Sequence, residues 1–189
     1  ADLISFGRQH LTDPDFINKA CEGNLDDIRY CTACNQGCIE RLSFEMKSAT
    51  CSFNPECGRE YKGPAPKVDS SRRIWIIGAG PAGLSAAMSA VARGHKVEVF
   101  EKQEQAGGQL LSASRPPHKK SFMDWVSWSL RSLDKSSVSI KCGYAIDANA
   151  IKQQRPDAVI LACGAYPVTA PISGLDSKMV ADARDVLTD

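Results

Sequence analysis

Four cysteines fall within 21 residues, spaced Cys31-x2-Cys34-x3-Cys38-x12-Cys51, while Cys21, Cys57, Cys142 and Cys163 are scattered. Clustered thiols point to a metal before they point to disulfides. The spacing sends three thiolates out of one tight loop and brings the fourth back to the same centre. A [4Fe-4S] cube takes one thiolate per iron, and short spacers let backbone amides face the sulfurs and offset their negative charge. Thr32, Ala33, Asn35, Gln36 and Gly37 are small or amide-bearing, as that packing requires. Structural zinc is the competing chemistry. Its knuckles more often carry two Cys-x2-Cys pairs, and the second pair is missing here because five residues separate Cys51 from Cys57. Spacing therefore favours iron-sulfur over zinc and zinc over unligated thiols, and the scattered cysteines read as ordinary reduced or buried thiols.

A second chemical motif, Gly78-Ala79-Gly80-Pro81-Ala82-Gly83, follows the apolar run Ile74 to Ile77 and opens an alanine-rich helical stretch, Ala82 to Ala92. That context gives each glycine a task. Gly78 makes the tight turn, Gly80 lets the backbone approach a pyrophosphate, and Gly83 lets the helix pack on the strand with its N-terminus toward the phosphates. Gly94 ends the helix and Val97 to Phe100 forms the next strand, so the segment is a βαβ unit. Glu101 stands at the end of that strand, 18 residues beyond Gly83, where a carboxylate accepts ribose hydroxyls and disfavours a 2′-phosphate. The competing reading is a βαβ unit whose glycines serve packing alone. Lys102 reads as a solvated surface charge.

The elements that must position these motifs are uneven along the chain. Asp2 to Phe6 reads as a short buried strand ending at Gly7-Arg8, an abrupt opening that suggests the middle of a domain. Asp13-Pro14 offers a cap and a first-turn proline for a helix through Phe16, Ile17 and Ala20 that Gly23 can close. From Cys31 to Pro66 periodicity fades into turn-forming residues, and a loop that long needs an internal staple. Lys62 to Ser71, with its prolines and polar residues, reads as a linker and the main boundary. Beyond it, Phe122, Trp125, Val126 and Leu133 share one helical face, Val138 to Cys142 alternates as a strand, and Ala158 to Ala162 reads as a fully buried strand. The expected fold is α/β, with a Rossmann-like βαβ domain after a loop-rich segment.

Composition narrows the function classes. With 189 residues, 43% hydrophobic and 24% charged, the chain has an ordinary globular makeup, and a net charge of +1 gives no reason to expect nucleic acid. No apolar run approaches the roughly 20 residues of a membrane helix, and the first residues lack the form of a signal peptide. A reducing cytoplasm is the default location.

The order of these motifs carries a resemblance. Cys31-x2-Cys34-Asn-Gln-Gly-Cys38, then Cys51-x2-Asn54-Pro55, then Gly78 to Leu84, then Gly107-Gly108-Gln109-Leu110 is similar to the central part of the 2,4-dienoyl-CoA reductase, enoate reductase and trimethylamine dehydrogenase family. The resemblance implies an N-terminal flavin-binding barrel related to old yellow enzyme, a [4Fe-4S] segment, and a two-part nucleotide-binding region. Residues 1–30 would then be the last strand and helix of a TIM barrel, 31–66 the cluster segment and linker, and 67–189 an FAD- or ADP-binding Rossmann-like domain, incomplete at its C-terminus. It further implies Cys31, Cys34, Cys38 and Cys51 as cluster ligands and Gly7 and Arg8 as contacts to FMN phosphate. Gly78, Gly80, Pro81, Ala82, Gly83, Glu101, Gln109, Lys119 and Ile146 would be neighbours of FAD or ADP. Ala162-Cys163-Gly164 departs from the Ala-Thr-Gly usual in the family and loses a hydroxyl. Electrons would pass between NAD(P)H, FAD, the cluster and FMN, and on to an unsaturated or amine small-molecule substrate, with the remainder of the same polypeptide as partner. Catalytic acids and bases would lie in the absent barrel, so none is nominated, and His10, His95 and His118 read as surface or packing residues. A glutamate-synthase-type electron-input subunit is the alternative, but it does not account for Phe6-Gly7-Arg8.

Overall fold

The computed structural model describes residues 2–168 and 170–188. Its centre is a parallel four-stranded sheet in the order β3-β2-β1-β4, formed by β1 (Arg73–Ile77), β2 (Lys96–Phe100), β3 (Ser139–Lys141) and β4 (Ala158–Leu161). Register is continuous across the middle, with Ile76 opposite both Val99 and Ile160. Parallel neighbours need crossovers, and these are α4 (Pro81–Ala92), then α5 (Gln109–Ala113) with α6 (Ser121–Lys135), then α7 (Ala148–Gln154). Before the sheet come α1 (Arg8–Thr12), α2 (Phe16–Cys21) and the short α3 (Arg41–Ser43), and α8 (Ala183–Thr188) follows it. The core lies between the sheet, α4 and α6. Ile76, Leu84, Ala87, Val99 and Val126 have no exposed surface there, and Trp125 and Leu133 join them. Among the described residues no helix is long and apolar enough to cross a membrane.

Two strand expectations are corrected. Asp2 to Phe6 is neither a strand nor buried: Leu3 is 92% exposed and Ile4 71%. An isolated extended segment has no partner for its N–H and C=O groups, so apolar composition alone does not make it a strand. Ala158 to Ala162 is a strand over Ala158–Leu161 but not fully buried, because β4 forms the sheet edge and leaves Leu161 74% exposed. The α2 expectation is close, with Gly23 at φ +77° just beyond the helix, although Asp15 rather than Asp13 occupies the cap.

Asp13 has another role, in holding the N-terminal segment together. Its carboxylate accepts from Lys19 Nζ at 2.7 Å and from the Arg29 backbone N–H at 2.9 Å. Burial pushes that carboxyl upward, but the Lys19 hydrogen bond and charge with the Arg29 and Asp15 amides outweigh it and hold it below its ordinary 3.8. The Arg29 side chain donates from Nε to Thr12 O at 2.7 Å and stacks over Trp128 of α6, 5.1 Å from the ring centroid. Trp128 Nε1 in turn donates to Asp27 O at 3.0 Å, and Lys135 pairs with the Asp27 side chain. The residues leading into the loop-rich segment thus lie directly on α6 despite the linker.

Two expectations follow for stability. A Cβ at Gly83 would lie 1.8 Å from Gly78 O, against backbone that cannot give way; Gly83→Ala should cost about 2 to 3 kcal/mol, read from the urea midpoint. Because the folded-state pKa of Asp13 is depressed, its contribution is complete above 3.8 and is lost as pH falls through the lower folded value. Asp13→Asn should weaken the N-terminal segment at pH 7 and flatten its stability profile below pH 4, measured by tryptophan fluorescence during denaturation with Trp75 and Trp125 replaced by phenylalanine in both proteins.

Candidate functional site

The cysteine segment is organised from α1. Gln9 Oε1 accepts the Cys31 N–H at 2.9 Å while its Nε2 donates to Arg29 O at 3.1 Å, which fixes the start of the loop. Ala33 and Asn35 then take left-handed conformations, at φ 54° and 62°, and a single π turn over Gln36–Glu40 carries Cys38. Such turns concentrate at functional positions. Ala33 N–H donates to Cys31 Sγ at 3.4 Å, an amide facing a sulfur as the spacing implied. Cys51 returns to this loop because Thr50 N donates to Gly37 O at 2.6 Å, and a Cβ at Gly37 would lie 2.9 Å from Thr50 O. Asn54 Nδ2 donates to Leu11 O at 2.8 Å, and Thr12 Oγ1 lies 3.5 Å from Cys51 Sγ.

These bonds bring Cys31, Cys34, Cys38 and Cys51 to the wall of one small pocket, shared with Arg8, Thr12, Thr32 and Phe53. All four thiols are partly buried and unpaired. Among the described residues no three His, Cys, Asp or Glu side chains form a set arranged for a single metal ion. Arg8 NH1 donates to Asn35 Oδ1, placing the arginine at the edge of this pocket, and Gly7 is exposed just before α1. Cys57 is buried beside the pocket without lining it; burial pushes its thiol pKa up, and the nearby Cys51 adds to the effect. Cys21, Cys142 and Cys163 are exposed.

The glycine-rich turn is braced from several sides. Gly78 N–H donates to Phe100 O at 2.7 Å, and the residue sits at φ +105° where a Cβ would meet Ala162 O at 2.3 Å. Gly107 N–H donates to Ala79 O at 2.8 Å, and Gly108 packs so closely that its Cβ would lie 2.9 Å from Gly80 Cα. Gly80 itself has room, its nearest neighbour being 3.8 Å from an added Cβ. Pro81 occupies the first turn of α4, and Pro81 and Ala82 are exposed at its mouth. Glu101 is only 7% exposed and does more than end β2: Oε2 accepts the Ala79 N–H at 2.7 Å and Oε1 the Gln103 N–H at 2.9 Å. It therefore holds the turn in shape, with one lone pair on each oxygen still free for a ligand. Gln109 starts α5 and donates to Ala165 O at 3.2 Å. Lys119 is exposed ahead of α6 and Ile146 is half-buried between β3 and α7, and among the described residues no hydrogen bond ties either to the turn.

A larger pocket, of about 470 Å³, connects the two motifs. Cys34, Ser52 and Phe53 form one side, and Pro81, Ala82 and Ser85 of α4 form the other, with Trp125 of α6 also in the wall. Phe53 packs edge-on against Trp125 at 5.3 Å. Gln9, Thr12, Phe53 and Trp125 all bear on these pockets, yet no spacing in the sequence assigns them there; Thr32 and Asn54 stood inside quoted motifs.

Comparison with known proteins places this geometry. Residues 76–132 match the model of an NAD(P)-binding Rossmann-like domain. The chain is 38% identical to an NADH oxidase of Thermoanaerobacter brockii over 99% of its own length and 29% of that protein's. It is 37% identical to a metal reductase of Desulforamulus reducens over 99% of the chain and 28% of the relative. A solved 2-naphthoyl-CoA reductase superposes with a TM-score of 0.88 at 32% identity, covering 96% of this chain and 28% of that one. The chain thus spans less than a third of the length of the relatives it matches. Over the residues it spans, the chain is thus similar, in sequence and in fold, to a segment of 2,4-dienoyl-CoA reductase-like flavoenzymes.

Proposed function

We propose that this chain is the electron-transfer segment of an NAD(P)H-dependent iron-sulfur flavoenzyme acting on an unsaturated or amine small-molecule substrate. The observation that carries the reading is Cys34, which lines both the four-cysteine pocket and the larger pocket that reaches Pro81 and Ala82 at the nucleotide turn. Cys31, Cys34, Cys38 and Cys51 would hold a [4Fe-4S] cluster. Four soft donors around one pocket suit it, and the Cys-x2-Cys-x3-Cys spacing favours it over zinc. The buried, unpartnered Thr32 hydroxyl beside the thiols also fits a group with sulfur acceptors. When bound, such a cluster supplies one-electron transfer between two-electron flavins.

The chain's own residues supply binding and orientation. Ala33 N–H already faces Cys31 Sγ, and Gln9 of α1 fixes the start of the loop. Gly78, Gly80, Pro81, Ala82 and Gly83 would take the pyrophosphate of FAD or ADP at the α4 N-terminus, Glu101 the ribose, and Gln109, Lys119 and Ile146 the remaining edges. Gly7 and Arg8 would reach FMN phosphate, Arg8 using N–H groups that Asn35 leaves free. Residues 1–30 would complete a flavin-binding barrel, 31–66 would carry the cluster, and 67–189 would form the nucleotide-binding domain, all within a cytoplasmic enzyme.

Anaerobically purified protein should contain about four irons and four acid-labile sulfides per chain, and Cys34→Ser or Cys51→Ser should lose most of both. One zinc per chain without sulfide overturns the cluster assignment. Gly80→Ala offers a clean test of the nucleotide site because an added methyl meets only Gly108 Cα, at an unstrained 3.8 Å. Its unfolding midpoint should stay near that of the parent while FAD affinity, measured by fluorescence quenching, drops about tenfold or more, equivalent to about 1.4 kcal/mol. Equal affinity would remove the turn from the binding site.

A further inference from the structure

One buried polar atom in the cysteine pocket has no use in the fold. Thr32 is 6% exposed, and its Oγ1 is fully enclosed without a hydrogen-bond partner. It lies between two of the four cysteines in sequence and lines the pocket they share. Its backbone is held in place, since Ser121 Oγ of α6 donates to Thr32 O at 3.2 Å. Other hydroxyls of the segment have work to do: Thr50 Oγ1 bonds Gly37 O at 3.1 Å, and Thr12 Oγ1 donates to Arg8 O at 3.1 Å. Enclosing an unpaired hydroxyl is costly unless a ligand supplies the acceptor. Valine has nearly the same shape without that cost, so the fold alone gives no reason for threonine here.

We propose that the Thr32 hydroxyl is a positioning and tuning donor to the sulfur of the group held by Cys31, Cys34, Cys38 and Cys51. The inference rests on the proposed iron-sulfur function. A hydrogen bond to cluster or cysteine sulfur stabilises the reduced state, which carries the extra negative charge, and so raises the reduction potential. Thr32 thereby sets how readily this segment accepts an electron, through a residue that ligates nothing.

The test is the midpoint potential of the holoprotein, followed by electron paramagnetic resonance during a redox titration, for the parent and Thr32→Val. Iron and sulfide content of the parent is measured first, and its absence overturns the iron-sulfur function and this assignment together. With the cluster present, Thr32→Val should keep its iron and shift to lower potential, by about 59 mV for a tenfold change in the one-electron ratio. Thr32→Ser should match the parent. In the metal-free protein Thr32→Val should melt no lower than the parent, because the unpaired hydroxyl is gone. Should Thr32→Val lose iron, Thr32→Ala and Thr32→Ser decide the matter: Ala below Ser in potential supports the assignment. Equal potentials with and without the hydroxyl overturn it while leaving the iron-sulfur function standing.

Discussion

Helix α6 is needed on two sides at once, and the rest of the structure depends on that. Its inner stripe of Trp125, Val126, Ser129 and Leu133 is buried in the core with α4 and the sheet. Its outer positions face the cysteine segment and the residues that lead into it: Trp128 bonds Asp27 O and lies beneath Arg29, Ser121 bonds Thr32 O, and Arg131 donates to Asp26 O. A loop-rich stretch without a core of its own cannot offset the entropy of ordering itself by local bonds alone. Apolar burial of Phe53 against Trp125 and Phe122, with the hydrogen bonds from α6, supplies what it lacks. The same helix therefore sets the distance between the thiols and the glycine turn.

Within each motif the geometry is fixed by backbone that leaves little freedom. Close approach of Gly78 to Ala162 and of Gly108 to Gly80 makes the nucleotide turn a packed junction, closed from below by the buried Glu101 carboxylate. The cysteine loop is closed by Gly37 against Thr50 and anchored on α1 through Gln9 and Asn54. In both places small residues and amide hydrogen bonds substitute for apolar mass. A rigid rim around an open pocket is what lets a site bind a group without first rearranging.

The βαβ unit was legible because its signals are local. β-rich residues before Gly78, alanines after it and Gly94 at the helix end each act over a few positions, and α4, β1 and β2 follow them. Burial was less legible. The apolar stretch Ala158 to Ala162 has a strand's composition, yet whether such a strand lies inside or at the edge depends on how many neighbours the sheet supplies, and here β4 has one. Asp2 to Phe6 shows the same limit, since a strand exists only where another accepts its hydrogen bonds.

By itself the sequence determined the parallel α/β module, the braced glycines and the set of four cysteines, because these follow from backbone sterics and from spacing along the chain. Tertiary structure alone decided that the four thiols share a pocket, that Cys34 also borders the space leading to α4, and that Glu101, expected to accept ribose hydroxyls, also braces the turn. It alone also placed Gln9 and Thr12 around the thiols. Those contacts join residues far apart in the chain, and no local propensity encodes which distant amide or hydroxyl will meet a given sulfur.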